Sequence, residues 1–185
     1  MPPSLSDIDI SVLRYLHHGR VVAFDHILYY ISYCATYVNI ALLLTILAVS
    51  LIRKSKPLRI IFYKMVAVMI IAALMSTMLK SLIPRERPFV TYPDIVKLSK
   101  AGNSSFPSGH TLEGFAVAVA FSILIPKRKF YIPVFIWALL VAYTRMALGV
   151  HYPSDVLGGM IIGSFIGWIV TWLINRFYLY LYHDS

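Results

Sequence analysis

The chain has 185 residues, of which 59% are hydrophobic and only 14% charged, with a net charge of +9 and a mean hydropathy of +0.74. A soluble domain carries about a quarter charged residues, so this composition excludes an ordinary soluble enzyme and predicts an integral membrane protein. The basic residues fall in short clusters between apolar runs, which fits loops at a membrane surface rather than a nucleic-acid-binding face.

The first segment, SDIDISVLRYLHHG, sets Ile8, Val12, Tyr15 and Leu16 at helical spacing between polar residues. That pattern predicts an interfacial helix lying on the membrane within residues 1–23. Nothing before it has the charged start, short apolar core and small-residue cleavage site of a removable signal. The first span is expected over Ile27–Ile52, uncharged throughout. Its Cys34 is the chain's single cysteine, so neither an intramolecular disulfide nor a cysteine metal cage is expected. The second span is expected over Ile60–Leu79, with Lys64 near enough to one end to snorkel. The third is expected over Pro107–Pro126, the fourth over Phe130–Thr144 and the fifth over Val156–Asn175. Gly159, Gly163 and Gly167 recur every four residues in the fifth, a spacing that lets another helix of the same chain approach closely. Tyr178, Tyr180 and Tyr182 after it read as an interfacial aromatic belt. The expected fold is therefore all-α: a polytopic membrane helix bundle of about five transmembrane helices plus an N-terminal interfacial helix, one domain over residues 1–185.

Loop charges predict orientation. Arg53, Lys54, Lys56 and Arg59 crowd one short loop, and Lys127, Arg128 and Lys129 crowd another. With five spans both lie on one side with Arg176, and the positive-inside rule makes that side cytoplasmic. The N-terminus, the loop of residues 80–110 and the turn around His151 then lie outside. This outer loop is basic as well, through Lys80, Arg85, Arg87, Lys97 and Lys100, so its charges need another use.

Three polar clusters supply one. The first is KSLIPRERP, running from Lys80 to Pro88; the second is Pro107-Ser108-Gly109-His110; the third is TRMALGVHYPSD, with Arg145, His151 and Asp155 at spacings of six and four. Singly, these are a span-end anchor, a turn with helix punctuation, and a loop histidine. Jointly, all three sit at span ends on one face. The third span opens with free backbone N–H groups and a partial positive charge, an anion site. Gly109 lets backbone approach a ligand, Ser108 adds a hydroxyl donor, and Lys80, Arg87 and Arg145 bring three cations. Only fifteen uncharged residues separate Lys129 from Arg145, about 22 Å of helix against a hydrocarbon core of about 30 Å. Arg145 is thus expected near the membrane boundary, where an anion offsets the cost of its charge. If the chain turns helically after His151, Asp155 faces it one turn on. A carboxylate on one imidazole nitrogen leaves the other free to attack. His110, at a helix start, suits protonation of a leaving oxygen.

These clusters resemble the type 2 phosphatidic acid phosphatase family, whose pattern is K-x6-RP, PSGH and SR-x5-H-x3-D. Here the pattern runs Lys80…Arg87-Pro88, Pro107-Ser108-Gly109-His110 and Thr144-Arg145…His151…Asp155, with threonine where the family often has serine. The resemblance implies a membrane lipid phosphatase, needing no metal and no cofactor, that works through a phosphohistidine. It implies His151 as nucleophile, Asp155 as its partner, His110 as leaving-group acid, and Lys80, Arg87, Ser108, Gly109 and Arg145 as phosphate-binding residues. Thr144 and Glu113 are possible supporting residues. Glu113, one turn after His110, is expected to pair with a nearby cation. Implied partners are a lipid phosphate and the bilayer itself, with no nucleic acid and no obligatory protein partner.

Undecaprenyl diphosphate, phosphatidylglycerophosphate, phosphatidic acid and lipid A phosphates are the implied substrates. The compact size and sparse loops look bacterial, and an outward-facing site in a bacterial inner membrane fits recycling of a lipid carrier. The same motifs also resemble vanadate haloperoxidases, but those are large soluble proteins and this chain is not. An anion or lipid transporter would scatter polar residues through several spans, whereas here they gather at one end.

Overall fold

Ser4 opens the first helix, α1 (Leu5–His18), with a capping box: the Asp7 amide donates to the serine hydroxyl at 3.2 Å, and the serine amide donates to the Asp7 carboxylate at 2.9 Å. The computed structural model describes residues 4–183, with side chains through Phe177. A 3-10 turn, Val22–Phe24, leads into α2 (Asp25–Ile52), and Arg20 pairs with Asp25 at 2.8 Å across this elbow. Ser55 caps α3 (Lys56–Leu82), which has Pro57 in its first turn, where a missing N–H costs nothing. A long segment carrying the single-turn helix α4 (Pro88–Thr91) then leads to α5 (Gly109–Leu124). Helices α6 (Arg128–Ala147) and α7 (Pro153–His183) follow.

All described elements are helical, as expected. Four are long and apolar enough to cross a membrane, and α5 is a shorter apolar helix among them. With 16 residues α5 is only about 24 Å long, short of the hydrocarbon thickness. Its place in the bundle explains this. Thr111, Leu112, Gly114 through Ala118, Ala120 and Phe121 are all buried, because α2, α3, α6 and α7 surround it. The outer helices direct Leu44, Leu74, Ile161, Phe165 and Trp168 outward, the apolar exterior that a bilayer requires. Lipid tails are as apolar as these side chains, so cohesion between the helices comes from close contact rather than from exclusion of water.

The closest contact joins α5 and α7. A Cβ added at Gly163 would stand 2.2 Å from the Leu112 carbonyl oxygen, and one at Gly167 would stand 2.4 Å from that of Ala116. The glycine stripe is thus an intramolecular seam. The tyrosines at 178, 180 and 182 lie outside the described side chains.

Helix α1 has two faces. Ile8, Val12 and Tyr15 are exposed, leaving an apolar stripe for the membrane surface, and Leu16 is half-buried. The opposite face buries Asp9, Ile10, Leu13 and His17 against the ends of α6 and α7. His17 is buried and doubly bonded: Nδ1 lies 2.8 Å from the Ala147 carbonyl, and Nε2 accepts from the Val96 amide at 3.1 Å. The segment between α3 and α5 is tied down by similar bonds. The Leu98 amide donates to Leu148 O at 3.1 Å, and the Ser105 amide to Arg85 O at 2.8 Å. Consequently the start of α2, the end of α3, the start of α5 and the end of α6 meet at one end of the bundle under this segment. The basic α2–α3 and α5–α6 turns lie at the other end.

Candidate active site

The α6–α7 turn holds the centre of this end. Gly149 takes a positive φ of 70°, and a Cβ there would stand 2.5 Å from Val96 O, so a side chain is barred on both counts. The tight turn brings the Val150 and His151 amides onto Arg145 O, both at 3.2 Å. Pro153 starts α7, and Asp155 falls in its first turn, where a carboxylate complements the helix dipole. His151, 2% exposed, has Nδ1 3.5 Å from Asp155 Oδ2, with no nearer partner. That is longer than a formed hydrogen bond, within the range of an ion-pair contact. The other nitrogen, Nε2, lies 3.3 Å from Arg87 Nη1.

Burial pushes the His151 pKa down to about 3, helped by the Arg145 and Arg87 charges and opposed by Asp155. The ring is therefore neutral near pH 7, with a lone pair on Nε2 once Nδ1 holds the proton toward Asp155. Asp155 is itself held from several sides. Oδ2 accepts from the Ser105 hydroxyl and from the Tyr152 amide at 2.9 Å, and Oδ1 accepts from Arg85 Nη1 at 2.6 Å.

Cations surround the histidine. Arg87 donates to the carbonyls of Gly102 (2.6 Å), Val150 (2.7 Å) and Ser104 (2.8 Å), and burial lowers its pKa. Lys80 Nζ donates to Pro107 O at 2.7 Å and Ser104 O at 3.3 Å. Arg145, 3% exposed, donates from Nη1 to the hydroxyls of Ser32 and Ser99, the latter at 3.3 Å, and from Nη2 to Lys100 O at 3.4 Å. Its Nε is buried without a partner. None of these three cations pairs with a carboxylate among the described residues. A buried guanidinium donor left open, next to two further unneutralised cations, fits an anion.

The space between them is a cavity of about 170 Å³ whose lining includes Lys80, Arg87, Gly109, His110, Arg145 and His151. Lys100, His110 and Arg145 also line a larger chamber of about 350 Å³ that extends along α2 past Ser32 and Thr36. The three sequence clusters thus converge on one cavity, and Gly109 brings the start of α5 to its wall. Ser108 stands behind that wall. It stands at the N-cap position of α5 without a side-chain cap bond; its hydroxyl lies 2.9 Å from that of Thr111, and its amide donates to Asp155 O at 3.0 Å. Thr144 is also set back, its hydroxyl turned to Val141 O at 2.7 Å. Glu113 accepts from the Thr36 hydroxyl at 2.9 Å, so its partner is a neutral side chain and not the cation expected.

Residues 59–179, well over half of the chain, match the PAP2 superfamily. The chain belongs to that superfamily. As a PAP2 protein it is a membrane-embedded hydrolase of phosphate bonds. Among its relatives, the undecaprenyl-diphosphatase BcrC of Bacillus subtilis is 32% identical over 83% of this chain and 75% of its own length. The lipid A 4'-phosphatase of Bacteroides thetaiotaomicron is 35% identical over 54% of this chain, and the match spans 44% of that longer protein. The crystal structure of a PAP2-type phosphatidylglycerolphosphate phosphatase from Bacillus subtilis covers 93% of this chain and 87% of its own, with a TM-score of 0.77 and 24% identity. That likeness speaks for the fold alone. The spacing that singles out Lys80, Arg87, His110, Arg145 and His151 gives no role to Arg85, Asp9, Ser105 or Ser32. A second arginine in RERP, an acid on a surface helix and isolated serines carry no spacing signal; only the fold makes them neighbours of the site.

Proposed function

We propose that this protein hydrolyses the phosphate or diphosphate of a membrane lipid through a phosphohistidine, as a single membrane-embedded domain, with its site on the non-cytoplasmic side. His151 Nε2 attacks the terminal phosphorus while the bond from phosphorus to the leaving oxygen breaks, and His110 gives that oxygen a proton. The leaving oxygen is the lipid oxygen of a monoester or the bridging oxygen of a diphosphate. Water then attacks the phosphohistidine, His110 takes a proton back, the P–N bond breaks and inorganic phosphate leaves. Lys80, Arg87, Arg145 and the backbone at Gly109 hold the equatorial oxygens, whose charge rises in the transition state. Asp155 keeps the His151 proton on Nδ1 and balances the imidazolium charge.

One observation carries this reading. A buried imidazole presents one nitrogen to a cavity ringed by unneutralised cations, while its other nitrogen faces a buried carboxylate. The neighbouring chamber, shared through His110 and Arg145, suits the part of the lipid beyond the scissile oxygen. The names of the relatives favour undecaprenyl diphosphate or a lipid A phosphate as substrate, with phosphatidylglycerophosphate and phosphatidic acid behind them. The basic turns at the far end of the bundle support a bacterial inner-membrane orientation with this site outside.

Phosphate release in detergent, with no gradient, across a panel of these four lipids tests both reaction and substrate. Turnover is expected in a chelator, and His151→Ala is expected to abolish it while the protein still folds. Activity retained by His151→Ala refutes the reading.

A further inference from the structure

A chain of charges runs from α1 to the Asp155 carboxylate. Arg85 Nη1 donates to Asp155 Oδ1 at 2.6 Å and to Ser154 Oγ at 2.7 Å, while its Nη2 donates to Asp9 Oδ2 at 2.7 Å. Asp9 also accepts from the Ser154 amide at 2.8 Å and from the Ser154 hydroxyl at 2.5 Å. Arg85 therefore lies between two carboxylates, its Cζ 4.1 Å from the centre of the Tyr152 ring. Neither Arg85 nor Asp9 is among the residues lining the phosphate-sized cavity.

We propose that Arg85 and Asp9 are positioning residues for hydrolysis: the α1 carboxylate grips the guanidinium that holds Asp155 Oδ1, and this turns Oδ2 toward His151 Nδ1. The proposal rests on His151 being the nucleophile. Asp155 has two oxygens and one reactive partner. Rotation about its χ2 would offer either oxygen to His151 at a different height and angle. A fork donor on Oδ1, with Ser105 and the Tyr152 amide on Oδ2, removes that freedom. Arg85 crosses from the α3–α5 segment, so it needs an anchor of its own, and Asp9 supplies it. Because Asp9 also bonds the Ser154 amide, α1 fixes the first turn of α7 as well.

Charge makes the role testable. The charged and titratable groups around His151 are Arg85 and Arg87 from the α3–α5 segment and Lys100 further along it. Arg145 comes from α6, Lys80 from α3, His110 from α5, Tyr152 from the turn, Asp155 from α7 and Asp9 from α1. The acid limb of kcat/KM reports protonation of the free nucleophile. Arg85→Gln removes a cation and is expected to move that limb up by about one pH unit. Asp9→Asn removes an anion and is expected to move it down. Arg85→Lys keeps the charge and loses the fork, so the limb stays while kcat falls. In all three, kcat is expected to fall about tenfold or more with KM within about twofold, since nothing touching substrate has changed.

Size-exclusion profiles and melting curves in detergent identify the folded variants. Should Arg85→Gln not fold, Asp9→Asn and Arg85→Lys carry the test. An acid limb that stays in place in folded Asp9→Asn and Arg85→Gln, or a loss residing in KM, overturns the proposal. A fully active His151→Ala instead refutes the assigned nucleophile, so the two failures are distinct.

Discussion

Arg145 sits at the end of α6 with two hydroxyls, one carbonyl and an open Nε, and with no carboxylate among the described residues. Leaving a buried cation in that state is costly unless an anion completes it. A planar fork is needed for this geometry, so Arg145→Lys is expected to lower turnover by roughly ten- to a hundredfold, read as phosphate release from folded protein. Inorganic phosphate is expected to raise the melting temperature of the wild type and less so that of Arg145→Lys, because only the folded state offers the cradle. His151 gives a pH dependence of defined sign. Its folded pKa is depressed from 6.5 to about 3, so as pH falls through that window the unfolded chain takes up the proton first. Stability is fullest above about pH 6.5 and declines toward about pH 3. Melting curves at pH 7 and pH 4.5 are expected to differ by less in His151→Gln than in the wild type.

Two helices decide the shape of the site. Helix α5 is short, central and pressed against α7 through Gly163 and Gly167, and that seam sets the height of Gly109 and His110 relative to His151. Gly163→Ala puts a methyl carbon 2.2 Å from Leu112 O, a backbone atom that cannot swing aside. The expected destabilisation is about 1–3 kcal/mol, with loss of activity at lower temperature than the wild type. Gly102→Ala meets nothing within 4 Å and is expected to change stability by less than about 0.5 kcal/mol. The spacing of Ile8, Val12, Tyr15 and Leu16 predicts helix α1 as a surface helix, but its inward face, with Asp9 and His17, does the anchoring. One periodicity concealed the other because a carboxylate and an imidazole on an amphipathic helix ordinarily belong to its wet side.

For the whole molecule, the proposed orientation follows from two ends of opposite use. The α2–α3 and α5–α6 turns hold clustered lysines and arginines, whereas the cations at the other end surround a cavity. In intact cells a membrane-impermeant thiol reagent is expected to label Lys97→Cys but not Lys54→Cys, each in a Cys34→Ser background. The reverse pattern would overturn the proposed sidedness. The bundle itself does not depend on that outcome, since its apolar exterior and its glycine seam are the same in either orientation.

Composition, apolar run length and the spacing of Lys80, Arg87, His110, Arg145, His151 and Asp155 were enough to determine a membrane helix bundle and the chemistry its residues suit. Bilayer thickness and the imidazole–carboxylate spacing are local constraints, and local constraints leave marks in a linear string. Only the folded chain decided that Ser108 and Thr144 stand back from the cavity, that Glu113 meets Thr36, that Asp9 meets Arg85 and Ser154, and that Arg85 reaches Asp155. Those contacts join residues as far apart as 9 and 154, and no periodicity records which distant hydroxyl or carboxylate will end up opposite a given guanidinium.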